Sequence, residues 1–467
     1  MLKRIICALL SLCMAFCLTS CKNGSSNDSN YSTGEETVEN KTEQMKNQLD
    51  FGGEKITIMY EWEPFADGQN TAANNLIKEI EKKFNVEIIQ KKWIVPLLGE
   101  VLAGIEPEGH LYSISYTGGG NIIDLALKGH LASLNAAMKA TGITMEEEFY
   151  NEFHTQQGNI NGKQWAIGVG FPRINAAVLY NKKMVNAAGY DIQKLIDKNE
   201  WTWAKMTEIG KKLTKRNASG EVTQWGIGIG QTGIKALILS NGGNIVYPDD
   251  TGKFVSKLDS QNVQEALQLA YNWYNVDKIA NSFSGGQWIR GDLAFAQNKV
   301  AMYVTGHTGI DTAYNSLSGD DYGVAFLPMG PKMDKYVSYM VGDYSYVIPA
   351  AYQNMTTQLL LLVDELQQGS MKNSTSEELF CDEWANRFHT KEQLKIWCNM
   401  HFSNNIVHCW DGLDLIATTF KGSGAISLNA IIKGSKSPNA WISANHNTYN
   451  LITQNNSKTI TYTGKLK

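Results

Sequence analysis

"EKITIMYEW" (Glu54–Trp62), "AANNLIKEIEKKFN" (Ala72–Asn85) and "VEII" (Val86–Ile89) follow one another and decide the fold class. In the first, Ile56, Ile58 and Tyr60 fall on alternate positions, the period of a strand with one buried face. In the second, Leu76, Ile77, Ile80 and Phe84 form an apolar stripe at helical spacing. The third is short, apolar and rich in isoleucine and valine, so it reads as another strand. Strand, helix, strand is the crossover unit of a parallel sheet, which predicts an α/β protein.

Upstream, the chain has another character. Lys3 and Arg4, the apolar run from Ile5 to Leu18 and the small residues after it have the layout of a secretory signal. That run is shorter than the about 20 residues an ordinary membrane-spanning helix needs. Leu18, Thr19, Ser20 and Cys21 resemble a bacterial lipobox, which implies cleavage after residue 20 and lipidation of Cys21. Cys7, Cys13 and Cys17 then leave with the signal, so their spacing builds no metal or redox cluster. From Lys22 to Gln48 apolar side chains are almost absent, and such a stretch cannot offset its ordering entropy. Residues 21–50 are expected as a disordered tether, reaching on the order of 30 Å.

Roughly 415 residues remain from Phe51, more than one ordinary core holds, so two lobes are expected. The chain is 43% hydrophobic and 10% aromatic, within the globular range. Loss of Lys3 and Arg4 takes the formal charge from −4 to −6, which argues against a nucleic-acid partner. Cys381, Cys398 and Cys409 allow at most one disulfide. Val263, Ala266, Leu267, Ala270, Tyr271 and Tyr274 mark a strong amphipathic helix with Asp259 or Ser260 as cap. Mixed strands and helices continue to about residue 350, and the remainder reads as mainly helical.

A resemblance enters along Ile160–Pro349. "INGKQWAIGVGFPRINAAVLYNKKMVNAAGY" (Ile160–Tyr190) is similar to a stretch of the family 1 extracellular solute-binding proteins. There, a Gly-Lys pair, a strand and a Tyr-Asn-Lys run precede an Ala-Gly helix end. "WTWAKMTEIGKKLT" (Trp201–Thr214) resembles the family's Thr-Trp helix opening, and "LSNGGNIVYPDDTGKF" its Gly-Gly turn. "FAQNKVAMYVTG" and "DYGVAFLPMGP" follow in family order. The resemblance implies the bilobal, type II periplasmic-binding-protein-like fold of the maltose-binding kind, two α/β lobes joined by a multi-stranded hinge. It places lobe 1 at 51–168 and 346–405, and lobe 2 at 169–345 and 406–467. Crossings fall near Ile167–Pro172, Val341–Val347 and residue 405.

It also implies a function. The expected protein is a monomer without cofactor or enzymatic activity, lipid-anchored at the outer face of the bacterial cytoplasmic membrane. It captures a carbohydrate, an oligosaccharide by preference, for an ABC importer permease. Sugars pair apolar C–H faces with hydroxyls, so a sugar cleft pairs aromatic platforms with polar hydrogen-bonding groups. The ligand-binding candidates are Trp62, Glu63, Tyr116, Trp165, Arg173, Gln231, His307, Asp343, Tyr344, Trp410 and Asp411. His307 stands where many sugar binders of the family carry a tryptophan. Trp203 and Trp273, at helical positions, read as packing.

Other constellations compete. Gly228, Gly230 and Gly233 form a GxGxxG with Asp249 about 20 residues on, imitating a dinucleotide fingerprint. Its position in mid-chain favours a Gly-rich loop at the cleft wall, with Gln231 toward the ligand. Cys398, His401, His408 and Cys409 are zinc-ligand types at a spacing that matches no common site, so no metal is expected. "DDTGKF" lacks the ligand ladder of a calcium loop. Glu61 and Glu63, two apart on a strand, give the alternative of a secreted polysaccharide hydrolase, and "MEEEFY" is a weaker carboxylate cluster. A surface receptor for a peptide or other non-sugar metabolite is the third reading.

Overall fold

The computed structural model describes residues 38–61, 71–93, 107–115, 122–145, 158–169, 171, 173–283, 290–317, 321–341, 344–370, 375–410, 412 and 427–464. The described chain begins with α1 (Val38–Gln48), then β1 (Lys55–Tyr60), α2 (Thr71–Phe84), β2 (Glu87–Lys92), β3 (Leu111–Ser115) and β4 (Ile167–Val169). It continues with β5 (Arg173–Asn181), α3 (Trp203–Leu213), β6 (Val222–Ile229), α4 (Gln231–Ser240), α5 (Gln261–Tyr271) and β7 (Val300–Thr305). After these come α6 (His307–Ser316), β8 (Tyr322–Ala325), β9 (Tyr336–Val341), β10 (Tyr344–Val347) and α7 (Thr356–Ser370). The last are α8 (Ser376–Ala385), α9 (Lys391–Phe402), β11 (Ile406–Cys409) and α10 (Pro438–Asn456).

Two sheets organise these elements. The first has the order β2-β1-β3-β10-β4, with β1 parallel to both neighbours and β10 antiparallel to both of its own. Its inner strand β1 is buried from Ile56 through Tyr60, although the sequence predicts one buried face. Ile56, Ile58 and Tyr60 pack with Ile80 and Phe84 of α2 and Leu359 and Leu362 of α7, while Met59 joins a second cluster with Tyr112 and Leu125. A parallel strand covered on both faces loses the alternation of a half-exposed one.

The second sheet runs β6-β7-β5-β9-β11, with the short strand Ala280–Asn281 on the β6 edge and β8 also pairing β5. β5 is antiparallel to β7, β8 and β9. Trp203 and Trp273 are packing residues here: the first donates to Ser240 Oγ at 3.0 Å, the second to Thr207 Oγ1 at 2.8 Å. Ser260 holds the cap position of α5 without a side-chain capping bond. After Tyr271 the helix widens into a π turn over Asn272–Val276, where the Tyr274 hydroxyl donates to the Ile229 carbonyl.

Two expectations need correction. The tether does not extend to residue 50, because Val38–Gln48 is helical and docked on the first lobe. Lys46 and Asp364, both fully buried, pair at 2.6 Å, with Glu43 and Glu365 at 3.1 and 3.2 Å and Gln368 at 2.9 Å from the same ammonium. A polar composition hid this helix because its anchor is itself polar. The second correction concerns residues 375–405, which belong to the second lobe: Phe380, Trp384, Trp397 and Met400 are part of its core. The chain changes sheet between Val169 and Arg173 and again between Val341 and Tyr344. It enters the second core for the last time between Ser370 and Thr375, and not near residue 405. A disulfide, Cys381–Cys398, joins α8 to α9, and Cys409, outside that bond, donates its thiol to the Ser338 carbonyl.

Candidate functional site

Strand register brings the site together. In the first sheet Tyr60 lies beside Ser113, and Tyr344, opening β10, pairs with Ser115 and Val169. The carboxyl ends of β1, β3 and β4 therefore share one edge with the start of β10. In the second sheet Arg173, opening β5, pairs with Val341, closing β9. Ile229, Thr305 and Cys409, the last residues of β6, β7 and β11, point to that same edge through their partners Val304, Ala177 and Tyr339. Both early sheet changes leave from these edges, and α/β proteins bind ligands beyond the carboxyl ends of their strands.

At this edge the chain builds a polar group from distant segments. Gly306 approaches β5 so closely that a Cβ there would lie 2.7 Å from the Asn175 carbonyl oxygen, and this seats His307 over the start of β5. His307 Nε2 is 3.1 Å from an Arg173 guanidinium nitrogen. A guanidinium only donates, so the imidazole accepts and is neutral. Burial, then the charges of Arg173 and Arg387, push the ring's pKa down to about 4. Its buried Nδ1 lies toward the Ile174 main chain without completing a hydrogen bond. Arg387 stacks on Trp384, 4.6 Å from the ring centroid, and meets Asp311 of α6 at 3.4 Å. Phe171, between the two sheets in sequence, packs edge-on against Phe380 of α8 at 5.4 Å.

Glu383, one helical turn beyond Phe380, is open to solvent. Even so, desolvation by surrounding protein raises its carboxyl above the usual range, opposed by Arg387 and Arg173. Donors from two guanidiniums and acceptors from carboxylates suit a ligand rich in hydroxyls. Neither Glu383 nor Arg387 was a sequence candidate. No motif marks them, and only the Phe380–Phe171 packing turns α8 toward the strand edge.

The remaining candidates fall differently. Trp62, Glu63, Tyr116, Asp343 and Asp411 lie outside the described residues, as do Cys21 and most of "MEEEFY"; for Tyr344 only the main chain is described. Gln231 opens α4 at the same edge, but its Oε1 accepts from the Leu428 amide at 2.8 Å and so holds chain to chain. Trp165 precedes β4, at the end away from the shared edge, packs on both cores and donates to the Ile160 carbonyl at 3.2 Å. Trp410 is 3% exposed and set between Tyr247 and Tyr462 at 5.3 and 5.7 Å, so its ring offers no open platform. Apolar neighbours claimed both tryptophans for packing.

The glycine motif does lie at a strand-to-helix passage, from β6 into α4, and Gly228 and Gly233 serve packing, whereas a Cβ on Gly230 would meet nothing within 4 Å. A Cβ on Gly228 would come within 2.8 Å of the Tyr303 ring, and one on Gly233 within 2.4 Å of Ile229. Asp249 closes a hairpin turn by accepting from the Thr251 and Lys253 amides at 2.8 and 3.1 Å. Cys398 is committed to the disulfide, and among the described residues no three His, Cys, Asp or Glu side chains converge as metal ligands.

Comparison with known families matches residues 113–359, more than half of the chain, to the bacterial extracellular solute-binding proteins. The chain belongs to that family. As a solute-binding protein it works by capture outside the cytoplasm and not by catalysis, which removes the hydrolase reading of Glu61 and Glu63. Solved structures share its fold, the bilobal type II arrangement. A cyclic α-maltosyl-1,6-maltose binding protein from Arthrobacter globiformis matches at TM-score 0.57 and 14% identity, over 86% of this chain and 99% of the other. An ABC substrate-binding protein from Listeria monocytogenes, in complex with cycloalternan, matches at 0.55 and 16%, over 86% and 99%. The maltose/maltodextrin-binding domain from Bdellovibrio bacteriovorus, bound to maltotriose, matches at 0.54 and 17%, over 86% and 100%. No curated protein matches the sequence.

Proposed function

We propose that this solute-binding protein is lipid-anchored through Cys21 at the outer face of the bacterial cytoplasmic membrane and captures an oligosaccharide for an ABC importer. The observation that carries the sugar reading is the Arg173–His307 pair and the Arg387–Asp311 pair beside the shared strand edge, a hydrogen-bonding surface suited to hydroxyls. The oligosaccharides named for the structural neighbours support the same class. Trp62, Glu63, Tyr116, Asp343, Tyr344 and Asp411 are the further proposed contacts, because they stand next to these strand ends in sequence. Binding proceeds by selection between an open and a closed arrangement of the lobes, and the closed form is what a permease distinguishes.

Thermal-shift screening over oligosaccharides, amino acids, peptides and polyamines tests the ligand class. A ligand at 100 times its dissociation constant adds about 2.7 kcal/mol. An oligosaccharide is expected to raise the melting temperature; a peptide or amino acid that does so while every sugar fails would refute the carbohydrate reading. Metabolic labelling with a radioactive fatty acid tests the anchor. Label should appear in the wild type and vanish in Cys21→Ala, and label retained in that variant refutes lipidation at Cys21.

A further inference from the structure

We infer that the C-terminal segment Thr459–Thr463 is a clasp between the two lobes that fixes the axis of their relative motion. The inference goes beyond the carbohydrate reading and does not depend on which ligand is bound.

The clasp is built on a hairpin held by lobe 1. Asn159–Ile160 and Lys163–Gln164 pair antiparallel across Asn161 and Gly162, whose φ angles are 55° and 70°. Asn-Gly is a preferred pair for such a two-residue turn. The Leu134 amide donates to the Gln164 carbonyl at 2.9 Å, Asn135 Nδ2 to the Gly162 carbonyl at 3.1 Å, and the Gln164 amide to Asn135 Oδ1 at 2.9 Å. Leu134 lies in the lobe 1 core, and the chain runs on from the hairpin into β4 of the first sheet.

On its other side the hairpin meets the segment that follows α10. The Asn161 amide donates to the Thr461 carbonyl at 2.8 Å and its Nδ2 to the Thr459 carbonyl at 2.9 Å, while its Oδ1 accepts from the Thr461 amide at 2.7 Å. The Gly162 amide donates to Thr463 Oγ1 at 3.0 Å, and the Thr463 amide to the Asn159 carbonyl at 3.0 Å. That segment is fastened to lobe 2. The Tyr462 amide donates to the Gly252 carbonyl at 2.8 Å, and Ser457 Oγ to the Phe254 carbonyl at 3.0 Å. A Cβ on Gly252 would lie 2.0 Å from the Tyr462 carbonyl oxygen, so this approach requires glycine. Ile160 of the hairpin is buried with Ile460 and Tyr462 in the lobe 2 core.

The covalent crossings do not supply this link. The first, at 169–173, leaves from the shared strand edge, whereas the hairpin precedes β4, at the other end of that strand. Two bodies held at separated places turn about the line between them. The clasp therefore selects one rotation from those that the crossings alone would allow.

The full mature chain without ligand tests this. Spin labels are attached to lobe 1 through Lys78→Cys and to lobe 2 through Lys198→Cys, both at exposed positions, with Cys409→Ser keeping label off that thiol. Asn161→Gly removes the side-chain bonds at a positive φ that glycine adopts freely, and Thr463→Val removes the hydroxyl at an exposed position. Together they should speed hydrogen exchange over residues 158–165 and 459–464 about tenfold. They should also broaden the distribution of distances between the labels, read by pulsed dipolar spectroscopy. Thr463→Val alone should act in the same direction, which keeps the test valid if Asn161→Gly fails to fold. A distance distribution superimposable on that of the wild type overturns the inference, because the segment is then a surface contact that leaves lobe motion unchanged. Exchange over 158–165 in the wild type as fast as in an unbonded chain overturns it as well. Neither result bears on the carbohydrate reading, which the thermal-shift screen tests separately.

Discussion

At neutral pH the His307 imidazole carries no proton, because burial and two guanidiniums hold its pKa near 4 against 6.5 in the unfolded chain. Between those values the unfolded chain binds a proton at this ring and the folded chain does not. Stability therefore falls as pH falls through that window, by at most roughly 3 kcal/mol. His307→Gln should flatten this part of the melting-temperature profile between pH 6.5 and 4; superimposable profiles would show that the ring titrates normally. Gly226 makes a separate point. A Cβ there would lie 2.0 Å from the Gly210 carbonyl oxygen, where β6 and α3 touch. Gly226→Ala should cost about 1–3 kcal/mol by overpacking, measured in urea, and a cost near zero would mean that helix and strand separate freely.

Helix α1 is held by charge as much as by apolar contact. Burial alone would lower the Lys46 pKa, but Asp364, Glu365 and Glu43 hold its ammonium above the usual lysine value. Lys46→Met leaves Asp364 buried beside no ammonium and should cost about 3–5 kcal/mol. Adding Asp364→Leu should recover most of that loss, and a double variant no better than the single one would place the energy elsewhere. For α8 and α9, the cross-link closes a 17-residue separation. Reduction should lower stability by about 3 kcal/mol. An unchanged denaturation midpoint with reductant present would show that the helices hold their pairing by aromatic packing, to which Trp384 and Trp397 contribute at 4.9 Å.

On the scale of the molecule, two cores and two sheets are joined through short segments, an arrangement suited to hinge closure. Ligand should reduce the radius of gyration measured by small-angle scattering, and saturable binding without such a change would make capture a rigid process. Arg387 sits on the lobe 2 side, with Arg173 and His307. The ion pairs of Lys46 place the first described helix, and with it the exit of the proposed tether, on lobe 1.

The crossover unit at Glu54–Ile89 and the ordered motifs along Ile160–Pro349 determined the α/β class and the family, because periodicity and short-range turn chemistry are local properties. Arg173 and His307 were legible for the same reason, since each stands beside a strand end that its own motif marks. Tertiary structure decided the rest. It assigned Trp410 to packing, moved residues 375–405 into lobe 2, fastened α1 through a buried lysine and set Arg387 against Asp311 of α6. An aromatic residue looks alike in sequence whether its ring faces a core or a cleft, and a charge looks alike whether it faces solvent or a buried partner. Which face is covered depends on segments hundreds of residues apart, and only the packed chain supplies that information.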